Sequence, residues 1–250
     1  PSIYSFYALD HFEKSLKKEQ KSGYRIHIKI NTGMNRLGIE TDELELLNDR
    51  LEKKVLQVSG VFSHFAASGL PNERDFTQYQ IGQFQQAVDF FKSNFSSDIL
   101  FHLSNSSGIL NYPDAGYNAV RAGIALYGYG NHPQENRQLQ PVTSLLSPII
   151  QIREIDAGES VGYDRAFVAK KPCRIATLAI GYADGISRIY GNGKAIVKVN
   201  GKSAPTCGNI CMDTTMIDVS GINCREGEMV TIFGEDHPAT DFDAYQQSIE

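Results

Sequence analysis

Between residues 5 and 20 the apolar side chains Phe6, Leu9, Phe12 and Leu16 recur at three- and four-residue spacing, which predicts an amphipathic helix. The stretch that follows, "YRIHIKI", alternates apolar and polar positions and predicts a strand. The rhythm then repeats: helical over 41–53, extended through "VLQVSGVFS", a long amphipathic helix over 72–94, and extended again in "ILFHLS". Repeated βα units predict a parallel sheet, because two parallel strands need a crossover to join them. Each extended segment runs into polar residues: "KINTGMNR" after the first, "SHFAAS" after the second, "HLSNSS" after the third and "VRAG" after a fourth. In a βα barrel the chemistry gathers at the carboxyl ends of the strands, so the repetition predicts one rim of a site. Four strands are half of the eight that close such a barrel. The other half is expected upstream of Pro1.

After "NHPQENRQLQP" the texture changes to short β-like runs, "SPIIQIREI", "CRIATLAIGY", "KAIVKVNGKSA", "CMDTTMIDV" and "EMVTIFG", divided by Gly- and Asp-rich turns. The expected fold class is therefore α/β plus β. Residues 1–137 form the second half of a (β/α)8 TIM-like barrel, and residues 138–250 a mostly β domain. The closing "FDAYQQSIE" reads as the first turns of a helix cut short.

Composition narrows the partners. With 250 residues, 41% hydrophobic and 21% charged, the chain can bury a substantial core. A net charge of −5 leaves no basic stripe to neutralise phosphates, so a small molecule is expected in place of nucleic acid. No apolar run reaches the roughly 18 residues of a membrane span, and the opening "PSIYSFYALDHF" lacks the layout of a secretion signal, so cytoplasm is the expected location. Cys173, Cys207, Cys211 and Cys224 are expected as reduced thiols. Cys207 and Cys211 have no second Cys/His pair at zinc-site spacing, and no metal is expected.

The densest polar signal is "HLSNSSGILNYPDAGYNAVRAGIALYGYG". Ser106 and Ser107 follow a strand and open a short helix, where hydroxyls and free N–H groups together suit a phosphate. Arg121 and Gly123 follow soon after, the glycine permitting close backbone approach. A Ser at a helix start also reads as an ordinary N-cap, and a single Arg as a surface charge.

In order and spacing, "KINTGMNRLG", "SHFAAS", "HLSNSSG", "VRAGIALYG", "VGYDRAF", "LAIGYADGISR" and "GNICMDTTMIDV" resemble the alanine racemases, a family dependent on pyridoxal 5′-phosphate. The resemblance covers nearly the whole chain. It implies that Ser106, with the backbone of Gly123 and Ile124, cradles the cofactor phosphate, and that Arg121 hydrogen-bonds the pyridine nitrogen. A guanidinium keeps its protons at any working pH, so that nitrogen stays unprotonated and the ring is a restrained electron sink. By the same resemblance, His64 lies against the cofactor ring and contacts Arg121, while Arg36 reaches the phenolic oxygen and the substrate carboxylate. Lys29 matches a lysine often carbamylated in the family. Asn31 stands where Asp is usual, which alters the charge balance around Lys29.

Racemisation at Cα needs a base on each face of the substrate. The resemblance gives one face to Tyr163 and places Tyr163 and Met212 in the site of the opposite subunit of a head-to-tail homodimer, with Tyr182 and Asp213 at the entrance. The other base is a cofactor-bearing lysine in a Lys-Ala-Asn-Ala-Tyr-like stretch, which this sequence lacks. The parent protein is expected to interconvert L- and D-alanine for peptidoglycan, and the chain alone to be inactive. Basic amino-acid decarboxylases share the plan but pair the ring nitrogen with a carboxylate, against which Arg121 argues. A serine or broad-specificity racemase, and a non-catalytic piece of a racemase–ligase fusion, stay open.

Overall fold

The structure is a computed structural model that describes residues 1–51, 55–95 and 98–240. The chain divides into two compact units, Pro1–Gln140 and Pro141–Glu250. The end of the helix expected over 41–53, and the whole of "FDAYQQSIE", lie outside the described residues.

The first unit runs β1 (Ser2–Ile3), α1 (Phe6–Lys18), β2 (Tyr24–Lys29), α2 (Leu44–Arg50), β3 (Leu56–Phe62), α3 (Arg74–Asn94), β4 (Leu100–His102), α4 (Ser106–Asn111) and α5 (Pro133–Asn136). Its sheet is parallel throughout, in the order β1-β2-β3-β4. Helix α1 begins where Ser5 Oγ accepts the Ala8 N–H at 3.2 Å, and Lys17 and Lys18 in its last turn complement the negative end of the helix dipole. It buries Leu9 and Leu16, the face that the apolar spacing required. Helix α3 buries Phe84, Ala87, Val88 and Phe91, which share one core with Ile26, Ile28, Val58 and Val61 of the sheet. Its polar Gln80 is fully buried because its amide serves the loop after β3, accepting from Ala66 N at 3.0 Å and donating to His64 O at 3.1 Å.

The structure differs from the sequence reading at three places. The two-residue β1 carries no alternation from which it could be recognised. The fourth extended segment, before "VRAG", is a single bridge between His102 and Ala119 and not a strand. Tyr117 adopts a positive φ of 50°, and the Asn118 side chain takes over the ladder, accepting from Phe101 N at 2.6 Å and donating to Ile99 O at 3.3 Å. Side-chain amides of this kind compete with regular backbone pairing. Finally, the polar stretch around Pro133 is no plain connector. Glu135, 1% exposed, accepts from Ser107 Oγ at 3.0 Å, Asn131 N at 2.7 Å and Asn111 Nδ2 at 2.6 Å.

The second unit contains β5 (Leu145–Ile155), β6 (Ser160–Val161), β7 (Phe167–Val168), β8 (Cys173–Leu178), β9 (Ile196–Val199), β10 (Lys202–Pro205), β11 (Thr215–Asp218) and β12 (Met229–Phe233). Six strands form an antiparallel sheet in the order β10-β9-β12-β5-β8-β11, while β6 and β7 pair separately. The alternating positions Val197, Val199, Val230 and Ile232 point into a core shared with Ala176, Leu178 and Ile217. No helix among the described residues is long and apolar enough to cross a membrane.

Candidate functional site

Parallel strands bring their carboxyl ends to one side, and in the first unit those ends carry the charged groups. Lys29 closes β2, His64 follows β3, His102 closes β4, and Arg121 lies two residues beyond the bridge at Ala119. Arg121 is the hub. Its Nη2 donates to Ser63 O at 2.6 Å and faces His64 Nδ1 at 3.1 Å; its Nη1 faces His102 Nδ1 and donates to His102 O at 3.2 Å. Phe62 lies beneath, its ring centre 5.3 Å from the guanidinium carbon and 5.0 Å from Lys29 Nζ. The sequence-predicted contact between His64 and Arg121 is present.

Burial and positive charge act together here. Lys29, 8% exposed, has its pKa pushed down to about 8, first by burial and then by Arg121 and Arg36. His64 and His102 are both lowered to about 4, again by burial first and Arg121 second. At neutral pH the two imidazoles are uncharged and part of the lysine population is a free amine. Every partner named for Arg121 is neutral, a carbonyl oxygen or an imidazole nitrogen. The cluster can therefore hold an anion or an electron-rich ring nitrogen.

Arg36 is exposed, on a loop shaped by Asn31. Asn31 Oδ1 accepts from Gly33 N at 3.2 Å and Asn35 N at 3.0 Å, while its Nδ2 donates to Asn35 Oδ1 and Glu40 Oε1, both at 2.8 Å. An aspartate at this position would have no proton for Glu40 and would repel it. Gly38, at φ 135°, closes the loop where a Cβ would fall inside the Asn31 backbone.

Ser106 is the first residue of α4, but the N-cap is Asn105, whose Oδ1 accepts the Gly108 N–H at 2.9 Å. The ordinary cap reading thus belongs to Asn105. Ser106 Oγ accepts instead from Gly123 N at 2.9 Å and Ala125 N at 3.2 Å, across a turn whose Ile124 is exposed. One hydroxyl and a run of backbone donors converge, as a phosphate requires.

In the second unit, Tyr182 N donates to Cys211 O at 3.0 Å and Ala183 N to Met212 O at 2.9 Å. Gly181 makes this approach possible, since a Cβ there would collide with the Met212 carbonyl. Tyr182, Met212 and the exposed Asp213 are so gathered on adjoining turns. Tyr163 follows Gly162, which has φ 74°, and its carbonyl accepts from Asn209 Nδ2 at 3.2 Å. The phenol is 69% exposed and Met212 54%. Cys207 and Cys224 are buried free thiols, and burial pushes Cys207 up to about 12. Among the described residues no group of three or more His, Cys, Asp or Glu side chains is placed to hold a metal ion.

Residues 1–131 match the family model "Alanine racemase, N-terminal domain" and residues 142–250 match "Alanine racemase, C-terminal domain". The chain belongs to the alanine racemase family. It is 34% identical to an alanine racemase of Methanococcus maripaludis over 243 residues, 94% of this chain and 64% of the relative. It is 37% identical to one from Treponema denticola over 241 residues, 92% of this chain and 62% of the relative. The chain thus spans less than two thirds of the length of these relatives. Among solved structures, alanine racemase from Bacillus anthracis with bound L-Ala-P superposes with a TM-score of 0.87 at 29% identity, covering 98% of this chain and 65% of that one. The Bartonella henselae alanine racemase with covalently bound pyridoxal phosphate superposes at 0.80 with 28% identity, covering 99% and 67%. The expected fold class, barrel-type βα units followed by a β-rich domain, is that of the alanine racemases.

Three residues of the Arg121 cluster escaped the sequence reading. His102 and Phe62 complete the surroundings of Arg121, and His27 touches His102, with His27 Nδ1 3.1 Å from His102 Nε2. A signal was available. His27, Lys29 and His102 all fall in the last four residues of the predicted parallel strands "YRIHIKI" and "ILFHLS".

Proposed function

We propose that the protein containing this chain is a pyridoxal 5′-phosphate-dependent alanine racemase, interconverting L- and D-alanine in the cytoplasm and supplying D-alanine for peptidoglycan. The observation that carries the reading is the neutral surroundings of Arg121 beside the Ser106 cradle. The residues present fit the cofactor: Ser106 with the backbone of Gly123 and Ile124 would hold its phosphate, and Arg121 its ring nitrogen. Bound there, pyridoxal phosphate supplies an electron sink for the carbanion at Cα.

Arg121 keeps its own proton and leaves the ring nitrogen unprotonated, which restrains that sink and disfavours transamination. His64 and His102, neutral acceptors, hold the guanidinium in place without competing for charge. Arg36 takes the substrate carboxylate in a bidentate pair. Lys29, with its pKa near 8, presents a free amine that carbon dioxide can carbamylate, and the resulting anion steadies Arg36. Tyr163 moves the Cα proton on one face, reaching the site of the other subunit in a head-to-tail homodimer, with Met212, Tyr182 and Asp213 at the entrance. The cofactor-bearing lysine serves the opposite face; no Lys-Ala-Asn-Ala-Tyr-like stretch occurs in residues 1–250, and the isolated chain does not racemise.

The test is Arg121→Glu in the full-length protein. Racemisation should slow while a long-wavelength absorbance band and transamination become detectable, because a carboxylate lets the ring nitrogen take a proton. Unchanged rate and spectrum would remove Arg121 from the ring.

A further inference from the structure

Arginine can only donate hydrogen bonds, and this fixes the protons around it. Arg121 Nη1 faces His102 Nδ1, so that nitrogen presents its lone pair and the His102 proton sits on Nε2. His102 Nε2 lies 3.1 Å from His27 Nδ1. His102 is therefore the donor and His27 the acceptor, with the His27 proton on its own Nε2. A protonated His27 is incompatible with this order, because it would demand two lone pairs and no proton of His102.

We infer that His27 is a positioning residue, which locks His102 in the one tautomer that can accept from Arg121 and so aims the guanidinium. The fold is built around this contact. The pairing of β2 with β3 slips between Ile26 and His27, so that His27 stands opposite Gly60 and not opposite Ser59. A Cβ on Gly60 would lie 2.5 Å from the His27 ring, so only glycine leaves room for the imidazole. Phe62 holds both rings, stacked on His102 with centres 5.0 Å apart and planes 6° apart, and edge-on to His27 at 6.4 Å. A bulge, a glycine and an aromatic platform thus converge on one hydrogen bond.

Without His27, the His102 N–H is stranded in a site only 8% exposed. A buried donor without a partner is costly, and the other tautomer would point its proton at a guanidinium. Either outcome loosens Arg121. The bearing of His27 on the cofactor rests on the proposed role of Arg121; the hydrogen-bond order does not.

The experiment uses the full-length protein prepared without cofactor and labelled with 15N at histidine and arginine. In the wild type, His102 should resonate as the Nε2–H tautomer, with slowly exchanging Arg121 guanidinium protons. His27→Phe should give His102 mixed tautomers and speed Arg121 proton exchange about tenfold, the loss of one net hydrogen bond. His27→Asn, which keeps an acceptor near the Nδ1 position, should restore both signals, and it also covers the case in which phenylalanine does not fit beside Gly60. A wild-type His102 with its proton on Nδ1, or Arg121 exchange untouched by His27→Phe, overturns the inference. If the signals respond as stated, yet His27→Phe leaves the spectrum of bound pyridoxal phosphate unchanged, His27 still positions Arg121, and it is the ring-nitrogen role of Arg121 that falls.

Discussion

His64 and His102 are bases kept neutral by burial and by Arg121, and that has a measurable cost in acid. Unfolded, each takes a proton near pH 6.5; folded, neither does until about pH 4. Between those values the unfolded chain binds more protons, so stability rises with pH across the window and falls as pH drops through it. Urea midpoints from pH 4 to 6.5 should show this slope, and the double variant His64→Gln, His102→Gln should flatten it relative to the wild type. Equal slopes would contradict the buried neutral pair. Lys29 acts in a higher window, adding stability as pH rises from about 8 towards 10.5. At Asn31 one proton decides: Asn31→Asp removes the donor to Asn35 and Glu40 and sets two carboxylates together. The expected loss is about 1–3 kcal/mol in thermal or urea unfolding at pH 7. Stability unaltered at pH 7 would mean that the loop carrying Arg36 does not depend on that bond.

Elements depend on contacts that lie off their own sequence. The bulge in β3 against β2 exists to seat His27 opposite Gly60, and Gly60→Ala places a methyl group against the ring. Overpacking of this kind costs roughly 1–3 kcal/mol, which a denaturant midpoint would report; a neutral effect would show the imidazole free to move aside. Helix α4 is held from the other side by Glu135, whose carboxylate joins Ser107 and Asn111 to Asn131. Glu135→Ala strands those donors, and a destabilisation of about 2 kcal/mol or more is expected, with Glu135→Gln milder because one acceptor remains. Should both variants unfold at the wild-type midpoint, Glu135 would be a passenger of the short helix that carries it.

At the scale of the whole molecule, proton transfer at Cα is proposed to draw on side chains from two subunits. In the full-length protein Tyr163→Phe should lower turnover by about 10²–10⁴ while leaving cofactor binding nearly intact. Solvent-deuterium exchange at Cα should become unequal between the enantiomers, since the base on only one face is lost. Mixing this variant with one lacking the cofactor lysine should restore partial activity, as a hybrid dimer then holds one site with both bases. Subunit exchange with no rescue would place Tyr163 in the site of its own chain.

Much of this organisation is present in the sequence because it rests on short-range rules. The spacing of Phe6, Leu9, Phe12 and Leu16 makes α1, alternation makes β2 and β9, and the polar residues after each strand mark the rim that carries Lys29, His64 and Arg121. Ordered motifs further indicated the alanine racemase family. Other features depend on groups distant in the chain and leave no local trace. Ser2 and Ile3 become a strand only because β2 offers them a parallel edge. Asn118 keeps the segment before "VRAG" from pairing as a strand by bonding residues nearly twenty positions earlier. Ser106 is released from capping because Asn105 takes that task, and a proline-flanked polar stretch is anchored because Glu135 finds Ser107 and Asn111. The hydrogen-bond order from Arg121 through His102 to His27 is the clearest case. Each residue alone is an unremarkable polar side chain, and only three strands laid side by side, with an arginine that can donate but never accept, decide where the protons sit.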